Sequence, residues 1–367
     1  LNKITIISSE KNWLESAAVD QLTQIAALPG IEKIVGLPDL HPGKTPVGAA
    51  FITESIIYPH LIGNDIGCGV SLFMTAIEKK KMKLDRWERK LEELEELSQI
   101  DMSEGNDHDF SDFQFHASLG TIGGGNHFAE IQEVATILDT AEFEKLGLSK
   151  NHIMLLVHSG SRGYGQAILD EFIHDHQAQS GLAKNTEVAK QYLIKHDAAV
   201  NWAMLNRELI GYRLLKALQM QTDTTKIIDS VHNSITAKVV GEKNLYVHRK
   251  GAAPGDSGAI AIPGSRGTLT YLVIPGEDTA IAGYSLAHGA GRKWERSMCK
   301  GQLENKYTKE TIKQTKFKGK VICSNNKLLF EEAPEAYKNI DIIIQDLVDA
   351  GLVKVIATLK PVLTYKG

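Results

Sequence analysis

Asp65 and Cys68 stand three positions apart in LIGNDIGCGV, where three glycines strip the backbone of side chains. Two readings compete: a tight turn around a buried structural cysteine, or a carboxylate and a thiolate presented to one locus. Five histidines sit at comparable glycine- or polar-rich junctions beside apolar runs. They are His127 in GGGNHFAE, His158 in LLVHSGSRG, His232 in SVHNS, His248 in YVHRKGAAPG and His288 in SLAHGAGRK. Strand ends followed by glycine turns commonly present functional side chains, because glycine lets backbone and ligand approach closely. Any one of these histidines alone reads as a satisfied structural residue. If Asp65, Cys68, His127, His158 and His232 converge, however, they supply one carboxylate, one thiolate and three imidazoles. That donor set suits Mn(II), Zn(II), Co(II) or Fe(II), and a metal-bound thiolate could bridge two ions with Asp65 on one side.

Anions also have candidate cradles. SGSRG (159–163) and GSRG (264–267) combine accessible amides with hydroxyls and an arginine, and HGAGR (288–292) repeats that chemistry behind an imidazole. None matches the Walker pattern or a GxGxxG dinucleotide motif. Asn126 and Glu130 flank His127 and suit a phosphate, a base edge or a second bond to the histidine. Residue chemistry alone thus points to a metal-dependent enzyme acting on a phosphorylated substrate.

The elements that must position these groups are short. Pro38, Pro42 and Pro46 exclude a long helix in GLPDLHPGKTPVGAAF. Val70–Ile77 and HIMLLVH read as buried strands, and IIDSVHN, KNLYVHRKG, GAIAIPGSRG and TLTYLVIP as further strand pieces. Leu84, Trp87, Leu91 and Leu94 fall at helical spacing in EKKKMKLDRWERKLEELEEL, so its charges dress an amphipathic helix rather than an RNA-binding patch. Stretches 165–179 and 186–218 are helix-compatible, and the C-terminal quarter mixes short helices with strands. The expectation is an α+β fold of mixed sheets and surrounding helices, folded as one catalytic domain over 1–367. A formal net charge of −4 gives no general reason to expect nucleic acid, although a local basic groove remains compatible with it. Three widely spaced cysteines argue against a disulfide scaffold and for a reducing compartment. No signal-peptide pattern and no long apolar run is present, so a cytoplasmic protein with no membrane association is expected. Leu1, where a methionine would stand, reads as a processed or truncated start.

LPDLHPG, DIGCG, GGGNHFAE, HSGSRG, HN, HRKGA, PGSRG, HGAGR and the final KG occur in an order that resembles the RtcB family of GTP-dependent RNA ligases. Within it the chain is similar to a short bacterial branch coupled to a release-factor-like protein. The resemblance runs from residue 37 to the end and implies an RtcB-like fold around a central metal and nucleotide cleft. It implies that RNA 3'-phosphate or 2',3'-cyclic phosphate ends are joined to 5'-hydroxyl ends, in RNA repair or tRNA splicing. By the same resemblance His288 is the nucleotide acceptor, attacking the α-phosphorus of GTP and releasing pyrophosphate. Asp65, Cys68, His127, His158 and His232 match a site for two Mn(II) ions, with Cys68 as the bridge, Asp65 and His127 on one ion, and His158 and His232 on the other. Asn126 and Asn233 match polar residues near the phosphates, Glu130 the guanine-reading carboxylate, Phe128 a packing partner and Lys366 a guanylate contact. Ser265, Arg292, Tyr337 and the HGAGR glycines Gly289 and Gly291 complete the expected nucleotide pocket. A release-factor-like protein or an archease-like activator is the implied partner besides RNA.

The chain departs from the family in length and in HRKGAAPG, where many members carry an arginine soon after HRKGA. Arg249, Lys250 and Arg266 are the cations expected to compensate. Sealing of damaged RNA is therefore favoured over a tRNA splicing role. Two other functions use part of the same residue set. A dinuclear metal phosphohydrolase or RNA end-processing enzyme needs the ligands but not His288, and a non-catalytic RNA- or ribosome-binding module needs neither.

Overall fold

The computed structural model describes residues 3–94, 97–100, 115–220 and 224–367. Its architecture is α+β, built around two large sheets. One has the strand order Ile4–Ile6, Ile31–His41, Val47–Thr53, Lys243–Lys250, Asn233–Val240. The other runs Ile260–Pro263, Thr270–Pro275, Val353–Lys366, Phe128–Ile137, His152–Ser159, Gly69–Glu78, Thr224–Val231, with Lys320–Cys323 pairing in parallel alongside Val353–Lys366.

Strand His152–Ser159 shows why the larger sheet needs continuous apolar runs. Ile153, Leu155 and Val157 belong to one buried cluster, with Ile210 and Leu214 of helix Glu187–Ala217. Met154 and Leu156 belong to another, with Leu272 and Ile356. Both faces are covered, so alternation of apolar and polar residues is lost and IMLLV (153–157) is apolar throughout.

The expected strand over 70–77 spans Gly69–Glu78, and the expected helices over 165–179 and 186–218 span Gly163–Asp175 and Glu187–Ala217. The amphipathic helix is shorter than its charge run. It covers Leu84–Glu92 and buries Trp87 and Leu91, and Glu95 and Glu96 of that run lie outside the described residues. Helix Ser16–Ala26, which buries Ala18 and Leu22, has no counterpart in the sequence reading. Pro38 lies within Ile31–His41, at a break in register between Gly36 and His41 that takes Asp39 out of the regular ladder. Among the described residues, no helix is long and apolar enough to cross a membrane.

The larger sheet brings four strand ends together. Val70 and Phe128 both pair with His158, and Gly69 pairs with both Ser159 and Val231. Cys68, His127, His158 and His232 therefore emerge at one end of the sheet, although 164 positions separate the first from the last. Helix Glu187–Ala217 holds this end from behind. Buried Arg207 donates to Gly67 O at 2.9 Å, Ser159 O at 3.0 Å and Ser71 Oγ at 2.9 Å, and pairs with Asp229 at 2.6 Å. Asn206 adds a bond from Gly120 N at 2.7 Å and one to Gly160 O at 3.1 Å.

Candidate metal and nucleotide site

The DIGC turn closes as its spacing requires, with Cys68 N donating to Asp65 O at 3.2 Å. Asp65 Oδ2 lies 3.0 Å from His127 Nε2, and Cys68 Sγ lies 3.3 Å from His127 Nε2 and 3.4 Å from His158 Nε2. His232 Nε2 is 3.3 Å from His158 Nε2. The Nδ1 atoms of His127 and His158 face Ile122 O at 3.1 Å and Asn126 O at 3.2 Å. Donation to those carbonyls places the proton on Nδ1 and turns both Nε2 lone pairs inward. Gly160 is required by the same crowding, since a Cβ there would stand 2.1 Å from Asp65 Oδ1.

The electrostatics of this cluster are those of ligands facing one another. Burial lowers the pKa of His158 and His232, keeping both imidazoles neutral. Burial raises the Cys68 thiol, and the Asp65 carboxylate pushes it further up. Burial works against the Asp65 carboxylate too, but its bond and charge interaction with His127 hold it below the ordinary range. Asp65 Oδ1 is buried without a hydrogen-bond partner.

These residues fit a divalent cation. Donors about 2.0–2.3 Å from one ion stand roughly 3.0–3.7 Å apart, which is the spacing found among these side chains. Asp65, Cys68, His127, His158 and His232 would hold the metal, and the orphaned Asp65 oxygen gives it a further acceptor.

His288 stands next to the cluster, its ring centroid 4.7 Å from that of His232. It follows strand Ser285–Ala287, and its backbone N donates to Asp39 Oδ2 at 3.0 Å. Its Nδ1 lies 2.6 Å from the same oxygen. In the neutral imidazole, a proton on that side leaves the Nε2 lone pair free. Gly251, at φ +58°, makes room for the ring, because a Cβ would meet His288 Cε1 at 2.9 Å and Val47 Cγ1 at 2.4 Å. Asp39 is itself positioned from behind. Lys338 Nζ donates to the flanking carbonyls of Pro38 at 3.1 Å and Leu40 at 2.8 Å, and Asn12 Nδ2 donates to Pro38 O at 2.8 Å. Asp39 and Lys338 lie in LPDLHPG and APEAYK, yet neither was singled out by sequence reasoning. Only the motif membership of Asp39 could have drawn attention to it.

The residues that the family resemblance marked as catalytic, metal-ligating or nucleotide-binding line a single cavity of about 790 Å³, whereas the candidate cradle SGSRG (159–163) is not part of its lining. Its far end is polar and charged. Glu130 accepts from Gln132 Nε2 at 2.6 Å and from Thr364 Oγ1, and burial pushes its carboxyl up to about 7. Lys366 Nζ is 3.7 Å from Glu332 Oε2 and 5.9 Å from the Phe128 ring centroid. Glu332 also takes Arg292 Nη1 at 3.1 Å and the Tyr337 hydroxyl, so it gathers the charges of the pocket wall. Sequence reasoning missed Glu332, which carries no motif of its own.

Some residues behave differently from their expected roles. Asn233 lines the cavity, but its Nδ2 donates to Asp65 O at 3.1 Å and its Oδ1 accepts from Gly251 N at 2.9 Å. It is a strut between the DIGC turn and the loop beneath His288. Arg292 is similarly engaged, by Glu332, Tyr337, Cys299, Glu331 O and Trp294 O. His248 is outside the site altogether. Its Nε2 accepts from Tyr58 N at 3.0 Å and its Nδ1 faces Phe51 O at 3.2 Å, so it is a buried structural histidine. Arg249 cannot stand in for a missing RNA-binding arginine, because it is buried and held by Ser285, Thr236, Asp256 and Tyr284 O. Arg266 is likewise buried and spends Nη2 on Ile312 O and Leu329 O. Of the three cations, Lys250 and Arg266 line the cavity: Lys250 stands beside Asp65 and Cys68, and Arg266 keeps Nε and Nη1 without a hydrogen-bond partner among the described residues.

Fold and site together bring a group of residues that could hold a metal to one end of a nucleotide-sized cavity, the arrangement of a nucleotide-dependent enzyme. The chain belongs to the RtcB family: it matches the family described as tRNA-splicing ligase RtcB over residues 21–114 and 86–367. It is 43% identical over 363 residues to the RNA-splicing ligase RtcB2 of Escherichia coli, covering 98% of this chain and 95% of that relative. It is 28% identical to the tRNA-splicing ligase RtcB of Archaeoglobus fulgidus (96% of this chain, 92% of the relative), and 29% identical to that of Nanoarchaeum equitans (99% and 95%).

Proposed function

We propose that this protein is a GTP- and Mn(II)-dependent RNA ligase that joins 3'-phosphate or 2',3'-cyclic phosphate ends to 5'-hydroxyl ends. The observation carrying this reading is the Asp39–His288 pair, seated against His232 in the cavity that also holds Glu130 and Lys366. A dinuclear metal phosphohydrolase does not require a nucleophilic imidazole, and a non-catalytic binding module requires neither half of the site.

A cyclic phosphate end is first hydrolysed: water attacks the phosphorus, the bond to the 2' oxygen breaks, and a 3'-phosphate and a 2'-hydroxyl remain. His288 Nε2 attacks the α-phosphorus of GTP, the bond to the β-phosphate oxygen breaks, and pyrophosphate leaves. Asp39 holds the Nδ1 proton and stabilises the positive charge the ring acquires. Glu130 accepts from the guanine edge, Phe128 packs against the base and Lys366 contacts the guanylate. The RNA 3'-phosphate then attacks the guanylyl phosphorus, the P–N bond breaks and RNA-ppG forms. Attack by the 5'-hydroxyl on the RNA phosphorus makes the phosphodiester and releases GMP. Bound metal supplies neutralisation of phosphate charge and a lower cost for deprotonating the hydroxyl. Were two ions bound, Asp65 and His127 would hold one, His158 and His232 the other, and Cys68 would serve both.

The cellular role this reading favours is repair of broken RNA in the cytoplasm, where three unpaired cysteines remain reduced. A release-factor-like protein or an archease-like activator would act with it. The test is incubation with Mn(II) and α-labelled GTP. Wild type retains acid-labile guanylate and His288→Ala retains none; wild type that never labels overturns the reading.

A further inference from the structure

Residues 291–320 carry ten lysines and arginines against three glutamates, in a chain whose formal net charge is −4. The segment comprises helix Arg296–Leu303, a short turn at Thr311–Lys313 and the approach to strand Lys320–Cys323. With helix Asn326–Glu331 it has its own apolar core, in which Leu303, Ile312, Val321 and Leu329 pack together. This basic cap is fastened to the site. Arg266 of the PGSRG loop donates to Ile312 O at 3.0 Å, and a Cβ on Gly267 would meet Thr315 Cβ at 2.9 Å. At its start, Lys293, Trp294 and Arg296 form part of the cavity rim.

The internal cations of the segment are satisfied: Arg292 and Arg296 pair with Glu332, and Lys320 pairs with Asp85 and Glu88. The others are not. Lys300, Lys306, Lys309, Lys316 and Lys318 are exposed and form no ion pair among the described residues. Glu310, the acid between Lys309 and Lys313, is bonded to Thr308 Oγ1 at 2.7 Å. A run of unpaired ammonium groups concentrated on one cap of an acidic protein repels itself and gains only from a polyanion.

We infer that this cap is a docking track for the phosphate backbone of RNA, delivering a strand end across Lys293 and Arg296 into the cavity. The inference rests on the ligase reading but concerns a surface outside the reacting groups. RNA is the partner the observations favour because the track is continuous with a cavity that must admit a strand end. It also supplies exposed positive charge that HRKGAAPG lacks and that Arg249, locked inside the protein, does not present.

The test compares two full-length variants with equal loss of charge. One replaces the track lysines Lys306, Lys309, Lys316 and Lys318 with glutamine; the other replaces Lys3, Lys11, Lys145 and Lys150. Binding of a labelled single-stranded RNA with a 3'-phosphate is measured against salt concentration, and guanylylation by GTP is measured without RNA. The track variant should lose affinity by about tenfold or more at low salt. Its plot of log affinity against log salt should become shallower by about 0.7 for each lysine that touches phosphate. The control variant should keep both, and both variants should label with GTP like wild type, which also shows that they fold. Equal loss in the two variants, or an unchanged slope in the track variant, overturns the track while leaving the ligase reading intact. Wild type that binds RNA through the track but never labels with GTP overturns the ligase reading alone, and wild type that binds no RNA overturns both.

Discussion

His288 Nδ1 and Asp39 Oδ2 lie 2.6 Å apart, joined across 249 positions of sequence. The same oxygen accepts from the His288 backbone at 3.0 Å, so ring and main chain are fixed by one carboxylate atom. Asp39→Asn should keep the fold but allow the wrong tautomer, slowing guanylyl-histidine formation by about 10²–10⁴-fold. Acid-labile labelling by GTP measures that step directly. Normal labelling in the variant would remove Asp39 from the mechanism.

Lys338 acts on that pair from one layer behind. Lys338→Met leaves the carbonyls of Pro38 and Leu40 without their donor and lets the Asp39 loop shift. Guanylylation should fall by about 10- to 100-fold. Combined with Asp39→Asn it should add little, because both changes damage one arrangement. Full additivity of the two losses would argue against the coupling.

Glu130 gives a pH dependence whose sign can be worked out. Burial raises its carboxyl to about 7, so below that pH the free pocket presents a neutral acid. Guanine offers donors on its base edge and needs an ionised acceptor, so GTP affinity should rise from pH 6 to pH 8. Glu130→Gln should flatten that rise and bind GTP more weakly at pH 8. The stability effect runs the other way. An acid with a raised native pKa contributes its full share of stability below about 4.5, and loses it as pH climbs toward about 7. Thermal melts of wild type and Glu130→Gln across that window provide the second measurement.

Cys68 Sγ lies within 3.4 Å of both His127 and His158 Nε2. Titration calorimetry should count two Mn(II) ions per wild-type chain, and Cys68→Ser should weaken both sites together. His232→Ala should weaken one, since Asp65 and His127 are untouched. A Cys68→Ser protein that loses one ion cleanly would make Cys68 a terminal ligand rather than a bridge.

Arg207 links the Cys68 turn, the end of the His158 strand and Asp229. Arg207→Ala strands the Asp229 carboxylate, with Lys226 3.8 Å away as a weak substitute. The loss should be about 3–5 kcal/mol, read from the denaturation midpoint. A change below about 1 kcal/mol would mean that the helix does not brace the site.

Much of the site was legible from local chemistry. DIGC closes the turn its spacing implies, and the histidines at glycine junctions are indeed at strand ends. Apolar runs such as IMLLV marked their strands, because burial on both faces leaves a continuous signature. Helix Ser16–Ala26 did not show itself in the sequence. His248 illustrates the opposite failure: its neighbours YVHRKG look like those of a ligand, yet its ring is spent on Tyr58 and Phe51.

What the sequence by itself determined was the inventory: a thiolate, a carboxylate, imidazoles, glycine-lined turns, and motifs in an order that marks the family. What only the tertiary structure decided was who faces whom. Sheet register set Cys68, His127, His158 and His232 at a common end, and the break in strand Ile31–His41 turned Asp39 toward His288. It also locked Arg249 inside while leaving the lysines of the cap exposed. Periodicity and turn preference act over a few residues, so a sequence displays them openly. Pairings across hundreds of positions depend on register and on which carbonyls remain to be satisfied, and those are fixed only when the sheets pack.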